Sequence, residues 1–192
     1  YSILYIYVMK TIVIFLLGLL TFNLVAQDSD IIVWSDSVKL SWKDFKEIHP
    51  TKGLEGEAGT TVKFHHKDTC IGGRIFIWLY SWFSKSKSWV VKGSQGKVGL
   101  LEHEQLHFDI VEIYARRCRM AITFAQKDCI KFNYEEIIKI IEQNSKMAEE
   151  ANELYDKESE HYRNKVKQKE WEEKVKKELK MYEGYKSPMR WF

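Results

Sequence analysis

One short segment of the sequence carries the residue types of a catalytic metal centre. It reads His-Glu-Gln-Leu-His over residues 103–107. Residues four apart lie on the same face of a helix, so the imidazoles of His103 and His107 can converge on one zinc ion, with bonds of about 2.0–2.1 Å. Zinc lowers the pKa of a bound water toward about 7, and the carboxylate of Glu104 can take the proton of that water. The spacing therefore predicts a zinc site with these two histidine ligands and Glu104 as general base.

A catalytic zinc ion has three protein ligands and one open position, so one ligand must come from another segment. The extended motif of one metallopeptidase class has a third His six residues after the second, and Ile113 stands there instead. We expect His161, in the second helical region, to be the third ligand, because facing helices commonly assemble metal sites. Asp156 and Glu158 are the alternative third ligands, and Glu158 is also a candidate hydrogen-bond partner of His161.

Two other interpretations of these residues stay open. If the two motif histidines, His161 and an acidic neighbour all bind the ion, the site is closed and structural, and the protein does no chemistry. If no metal binds, the chain is an adaptor of the cell envelope that uses its long charged C-terminal helix to contact partners. The fourth coordination position and the zinc content distinguish the three interpretations.

The elements that must position the motif follow from the hydrophobic pattern. Segments rich in β-branched and aromatic residues predict strands at 31–34, 60–64, 74–80 and 88–91. Ser41 is placed to cap a short helical turn. Apolar residues at helical spacing predict one helix from about residue 99 to 125 and a long one from about 134 to 182. This order predicts an α+β fold with a small N-terminal antiparallel sheet followed by the motif helix and a long C-terminal helix. With the His-Glu-x-x-His motif on its helix, the expected fold is zincin-like.

The N-terminal segment predicts the compartment. Lys10 precedes an apolar run that ends at Ala26, a pattern typical of a secretory signal peptide cleaved after that alanine. We take Met9 as the start and residues 1–8 as a spurious upstream extension. The protein is then periplasmic or secreted. An uncleaved membrane anchor is the alternative, since about 20 apolar residues span a bilayer.

Length and charge limit the remaining possibilities. After the signal peptide at 1–26, residues 27–183 suffice for one domain with a sizeable core, followed by a tail at 184–192. The net charge of the whole chain is only +3. Basic residues gather after Arg163 but are interleaved with glutamates, which is typical of a solvated helix face. A nucleic-acid partner is not expected, because phosphate binding needs clustered positive charge.

The chain has three cysteines, Cys70, Cys118 and Cys129, and none of them forms a Cys-x-x-Cys pair. A thiolate zinc site is therefore not expected. In an exported protein, Cys118 and Cys129 are suitably placed for a disulfide across the turn between the two predicted helices. We assign a structural role to all three.

The residues around the motif resemble a bacterial family of unknown function, described as predicted secreted zinc-dependent proteases. The likeness is centred on residues 100–110, continues through Glu112, Tyr114, Ala115 and Arg116, and extends to 40–45, Ala58, Thr60, 88–90, 155–161, Gln168 and Trp171. The family usually has Thr at position 159, where this chain has Ser, and Gly at position 162, where it has Tyr. The resemblance implies export, a zinc site, and His161 or its acidic neighbours as further ligands. It implies no particular substrate.

Together these patterns predict an exported zinc metallopeptidase that hydrolyses peptide bonds in a peptide, a protein or a cell-wall peptide. Tyr155 or Tyr114 is the candidate for stabilising the oxyanion. If the strand at 88–91 forms a sheet edge beside the zinc, it could hold an extended peptide by strand addition. A membrane is a partner only if the N-terminal segment is uncleaved.

Overall fold

The chain forms two small sheets and three helices in the residues that this computed structural model describes, 30–50, 56–125 and 133–191. The strands are β1 (Ile31–Val33), β2 (Lys46–Ile48), β3 (Ala58–Gly59), β4 (Val62–Ile71), β5 (Arg74–Ser84), β6 (Trp89–Val91) and β7 (Met189–Trp191). The helices are α1 (Leu100–Ala125), α2 (Tyr134–Ser159) and α3 (Lys165–Met181). Short 3-10 turns lie at Trp42–Asp44 and Glu183–Tyr185. The predicted α+β class is confirmed.

Strand β5 is the central strand of the larger sheet. Its side chains are buried at every second position from Ile75 to Phe83, as expected for a strand with one face on the core. Strand β4 pairs with it antiparallel through a two-residue turn at Gly72 and Gly73. Both glycines have positive φ, 58° and 78°, which this tight hairpin turn requires. Strands β1 and β7 pair with opposite ends of the other edge of β5.

The smaller sheet has the order β2-β6-β3 and leads directly to the motif helix. Strand β2 runs parallel to β6, and β3 runs antiparallel to it. Strand β6 is therefore the middle strand and β3 an edge strand. Gly59 in β3 lies against the indole of Trp89. A Cβ at this position would come within 2.7 Å of the indole. A glycine lets the two strands approach closely here.

Helix α1 lies at the centre of the fold and packs against both other helices and β5. The side that faces β5 carries Ala115, Cys118 and Ile122. A second side contacts α2 and α3 through an apolar cluster of Leu106, Ile110, Ile113, Tyr155, Trp171 and Val175. Each buried aliphatic side chain in these contacts stabilises the packing by roughly 1.5–3 kcal/mol. The motif residues within α1 are consequently held on a rigid, desolvated element.

The single long helix expected after residue 134 is two helices. Helix α2 is followed by three residues with positive φ, namely Glu160 (50°), His161 (49°) and Tyr162 (73°). Asn164 then caps α3, because its Oδ1 accepts a backbone N–H at 3.1 Å. The chain turns between them, so that α3 packs against α1 and α2. The predicted helix from 134 to 182 is therefore wrong at residues 160–164.

A buried ionic network fixes α1 to its surroundings. The carboxylate of Glu112 accepts hydrogen bonds from Arg116 Nε at 3.0 Å and from Arg119 and Ser81, both at 2.5 Å. Arg119 also donates to the carbonyl of Tyr185 at 2.6 Å. Glu112 and both arginines are no more than 2 % exposed. Paired charges of this kind hold the helix, the sheet and the C-terminal segment in one arrangement.

Two of the predicted segments lie at the chain ends, the signal peptide at 1–26 and the tail at 184–192. The predicted signal peptide, residues 1–26, lies outside the described residues. Within the described ranges, none of the helices has the length and the apolar composition needed to cross a bilayer. The predicted tail at 184–192 contains strand β7, in which Met189 pairs with Trp78. Part of this segment therefore belongs to the sheet.

The predicted disulfide of Cys118 is wrong. Cys118 is a free, buried thiol that packs between α1 and β5, and burial raises its pKa to about 12. Cys70 is the disulfide-bonded cysteine among the described residues. Cys129 lies outside them. The position of Cys118 in the core between α1 and β5 explains the difference.

Candidate metal centre

The helical repeat brings the two motif histidines together as predicted. His103 and His107 project from the same face of α1 and are 1 % and 8 % exposed. Their rings meet edge to face, with centroids 4.7 Å apart, and their Nε2 atoms lie 3.1 Å from each other. Spacing alone therefore positioned two side chains that can share one ion.

Asp156 of α2 supplies a third atom at the same point. Its Oδ1 lies 3.0 Å from His103 Nε2 and 3.1 Å from His107 Nε2. The three atoms thus form a nearly equilateral triangle. Ligand atoms at the corners of a tetrahedron around zinc, with bonds of about 2.0–2.1 Å, are about 3.4 Å apart. The observed separations are close to this value, so the donor set and its spacing fit a zinc ion.

The outer nitrogens of both imidazoles face amide oxygens. His103 Nδ1 lies 3.3 Å from Gln168 Oε1, and His107 Nδ1 lies 2.7 Å from Asn152 Oδ1. An amide oxygen only accepts hydrogen bonds, so each Nδ1 carries the proton and each Nε2 has a free lone pair. Two lone pairs and a carboxylate oxygen then point at one spot. Such a set requires a cation, either a metal ion or a proton.

The electrostatics of these side chains agree with this requirement. Burial lowers the pKa of His107, but the hydrogen bond and charge of Asp156 outweigh it and raise that pKa above its ordinary value. Burial raises the pKa of Asp156, but its bonds to the two histidines hold that pKa well below its usual range. Both shifts favour a net positive charge on the imidazoles beside this carboxylate, and a bound metal ion would supply such a charge.

His161 lies next to the triangle, at the mouth of the site. Its Nδ1 is 3.3 Å from Asp156 Oδ1, and its side chain is 44 % exposed. The ligand atoms of His103, Asp156 and His161 all lie within 4.8 Å of one another. His161 is thus brought to the site as predicted, but Asp156, the predicted alternative, completes the triangle with the motif histidines.

Glu158 does not join this group. Its Oε2 accepts a hydrogen bond at 2.8 Å from the indole Nε1 of Trp171, which lies in α3. Two residues along a helix change the facing direction by more than a right angle, so Glu158 and Asp156 cannot point into the same site. The structure therefore gives Glu158 a packing role instead of the alternative ligand role.

The catalytic candidate Glu104 is 2 % exposed and lines the same cavity as the histidines. Its Oε2 accepts a hydrogen bond of 2.6 Å from the hydroxyl of Thr60, just after β3. This bond fixes the carboxylate beside the ligand triangle. Thr60 was not assigned a role from the sequence, although it belongs to the residues that carry the family resemblance.

Neither tyrosine predicted to stabilise an oxyanion is placed for it. Tyr155 is fully buried, its ring stacks on His103 with centroids 4.5 Å apart, and its hydroxyl donates to Gln168 Oε1 at 2.6 Å. Tyr114, on α1, packs against the apolar cluster between the three helices, under the guanidinium of Arg117. Among the described residues that line the cavity there is no tyrosine. Both side chains pack between the helices and do not face the cavity.

The segment after α2 holds His161 in place. The left-handed backbone of a non-glycine residue costs roughly 1–2 kcal/mol, and three such residues follow one another here. Tyr162 stands where the resembled family usually has Gly. Its hydroxyl donates to the carboxylate of Glu57, immediately before β3, which ties the segment to the far wall of the cavity. Strain concentrated beside a candidate site is typical of a functional constraint.

An open cavity of about 440 Å³ gives access to the site. One wall is strand β3 with the indole of Trp89, and the opposite wall is α2. The lining includes no lysine or arginine from the described residues. It consists of Ala58, Gly59, Thr60, Val62, Trp89, His103, Glu104, His107, Glu149, Asn152, Glu153, Asp156 and His161.

The sheet edge beside the site is not the predicted one. The strand at 88–91 is the middle strand β6, whereas the edge strand β3 borders the cavity. A two-residue strand that contains Gly59 gives too short a hydrophobic pattern to be recognised in the sequence.

Comparisons of this chain with family models, with curated proteins and with solved structures find no match. The family resemblance and its zincin-type fold therefore stay predictions. The functional interpretation rests on the geometry of the residues themselves.

Proposed function

We propose that this chain is an exported zinc hydrolase that cleaves peptide bonds, with Glu104 as general base. The observation that carries the proposal is the convergence of three donor atoms, His103 Nε2, His107 Nε2 and Asp156 Oδ1, at separations of 3.0–3.1 Å. Three protein ligands beside an open cavity are the arrangement typical of catalytic zinc, whereas structural zinc sites have four. Export rests on the apolar N-terminal segment.

Zinc, when bound, supplies a water of lowered pKa and polarises the carbonyl of the substrate. The protein's own part in the chemistry belongs to Glu104. Its carboxylate receives the proton of the attacking water and returns it to the leaving amine. Proton transfer by a positioned side chain of this kind typically accelerates a reaction by about 10²–10⁴-fold. The hydroxyl of Thr60 orients the carboxylate for this transfer.

The cavity favours an extended peptide. The edge of β3 offers main-chain groups with which a substrate backbone can form a further strand. The acidic side chains along the lining, Glu149 and Glu153 of α2 among them, favour basic substrate residues over acidic ones. A cell-wall peptide with a free amine is compatible with this charge.

A structural zinc site is the second candidate, and the position of His161 supports it. If His161 acted as a fourth ligand, the site would be closed to a substrate. The larger exposed fraction of its side chain, 44 % against 2 % for His103, favours the open arrangement instead. In that arrangement His161 lies where it can donate a hydrogen bond to a substrate oxygen.

The proposal is tested by the zinc content of the chain from residue 27 onward, with a His103→Ala/His107→Ala variant beside it. One equivalent of zinc in the parent, and almost none in the folded variant, is the expected result. Circular dichroism of both proteins shows that the variant is folded. A parent that stays metal-free after incubation with zinc would refute the proposal and leave the adaptor.

Turnover is tested separately with a Glu104→Gln variant. This change keeps the three ligands and the Thr60 contact but removes the base, so zinc content is expected to stay at one equivalent while peptide cleavage falls by 10²–10⁴-fold. Paired peptides that differ only in Lys against Glu report the charge preference. Equal cleavage by parent and Glu104→Gln would show that the base is misassigned. No cleavage by a zinc-loaded parent would favour the structural site.

A further inference from the structure

Two side-chain amides lie beside the candidate metal centre, and each contacts the outer nitrogen of one motif histidine. Gln168 of α3 is 4 % exposed, and Asn152 of α2 is half-buried. The sequence alone gave no role to Asn152. Each amide sits on a different helix from the histidine that it contacts, so the arrangement depends on the assembled fold.

The orientation of the Gln168 amide is fixed by its other partners. Its Nε2 donates to the carboxylate of Glu172, one helical turn further along α3, at 3.0 Å. A carboxylate accepts hydrogen bonds and donates none, so this end must be the NH₂ group. Its Oε1 therefore faces Tyr155, which donates to it at 2.6 Å, and His103 Nδ1 at 3.3 Å.

The orientation of the Asn152 amide is fixed in the same way. Its Nδ2 donates to the backbone carbonyl of Ala148 at 2.9 Å. The carbonyl can only accept, so Oδ1 points to His107 Nδ1, 2.7 Å away. Both imidazoles are thus held as the tautomer that carries its proton on Nδ1.

We propose that Gln168 and Asn152 are positioning residues that fix the tautomer and ring orientation of His103 and His107, so that both Nε2 atoms are ready to bind a divalent metal ion. The inference rests on the proposed function, since it concerns the same ion. Partners that accept a hydrogen bond from a ligating imidazole raise its basicity, and loss of such a partner typically costs 10–100-fold in metal affinity. Glu172 and Tyr155 act one step further out, because they orient the Gln168 amide.

The test compares zinc affinities of the intact chain, measured by competition with a fluorescent chelator. Gln168→Met and Asn152→Leu keep the size of each side chain and remove the accepting oxygen, so each is expected to bind zinc 10–100-fold more weakly than the parent. Asn152→Asp restores an acceptor and is expected to bind within a few-fold of the parent. Lys169→Met, on the exposed side of α3, is the matched control and is expected to bind like the parent.

A spectroscopic readout separates positioning from general loosening of the fold. In the zinc-loaded parent, proton NMR at low field is expected to show two slowly exchanging imidazole N–H signals, one for each Nδ1. Gln168→Met should lose the His103 signal alone, and Asn152→Leu the His107 signal alone. A variant that merely destabilised the fold would lose or broaden both.

The outcomes distinguish this inference from the function on which it rests. A parent that binds no zinc refutes both. A parent that binds zinc while Gln168→Met and Asn152→Leu match Lys169→Met in affinity refutes the positioning role alone. Loss of affinity in both variants, rescue by Asn152→Asp and selective loss of one N–H signal each would establish it.

Discussion

Asp156, and not His161, contacts both motif histidines, and this leads to a quantitative prediction about metal binding. Loss of the Asp156 carboxylate is expected to weaken zinc binding by two to three powers of ten, and loss of the His161 imidazole by less than tenfold. The reason is geometric. Asp156 Oδ1 lies 3.0 Å and 3.1 Å from the two motif nitrogens, while His161 Nδ1 lies 3.3 Å from that same oxygen and its side chain is 44 % exposed.

The magnitude follows from the strength of protein zinc sites. Four-ligand sites bind zinc with roughly 10–16 kcal/mol, so one ligand is worth about 2.5–4 kcal/mol. At 1.4 kcal/mol for each factor of ten, this corresponds to about 70- to 700-fold in affinity. Asp156 also carries the negative charge of the triangle, which places its removal toward the upper end of the range.

The assay is competition for zinc between a chelating dye and each of three variants, Asp156→Ala, His161→Ala and Glu158→Ala. Glu158→Ala is the matched control, because it removes a carboxylate of the same helix that bonds to Trp171 and lies outside the site. It is expected to leave the affinity within about twofold of the parent. Cobalt substitution gives an independent check, since its visible spectrum reports the number and type of ligands.

Two results would refute the reasoning. If His161→Ala weakened zinc binding as much as Asp156→Ala, all four side chains would be ligands and the site would be closed. If Asp156→Ala bound zinc as the parent does, the triangle of donor atoms would not describe the metal-bound state. A large effect confined to Asp156→Ala would support the open, three-ligand site.

Three further predictions concern stability. Glu112→Ala is expected to lower the free energy of unfolding by about 3–5 kcal/mol in urea titrations, because it leaves the buried guanidiniums of Arg116 and Arg119 without their carboxylate. A loss below about 1 kcal/mol would contradict the importance of this network. Glu160→Gly should raise the melting temperature slightly, since it relieves about 1–2 kcal/mol of left-handed strain at an entropic cost of about 0.5–1 kcal/mol; an unchanged or lower value would argue against strain there. Cys118 should not react with thiol reagents at pH 8 until the chain is denatured, and rapid labelling of the native chain would contradict its burial. Because burial raises the pKa of this thiol from 9.0 to about 12, the stability due to its neutral form should be lost as the pH rises through this range.

Periodic patterns predicted those parts of the fold that depend on one element at a time. The β-branched and aromatic residues at 74–80 predicted most of β5, which continues to Ser84. The helical spacing of His103 and His107 predicted a common direction for the two motif side chains. In each case the physical cause lies within a few residues of the effect. The sequence is sufficient for such features.

Features that depend on how elements meet were not predictable in this way. The turn at Glu160, His161 and Tyr162 contains neither Gly nor Pro, and the charged residues around it suit a continuous helix equally well. That turn decides where His161 lies and hence which acidic side chain completes the site. Periodicity likewise does not indicate that Gln168 or Thr60, distant in sequence from the motif, contacts it.

The spread of the site over three helices has a consequence for the order in which the protein matures. A chain emerging from the ribosome, or still crossing a membrane, contains His103 and His107 some fifty residues before Asp156 and more than sixty before Gln168. Until α2 and α3 fold back on α1, the motif lacks its third donor and its supporting amides. An unfinished chain would therefore bind the proposed ion only weakly. Any activity that depends on the assembled site begins only when synthesis and folding of the domain are complete.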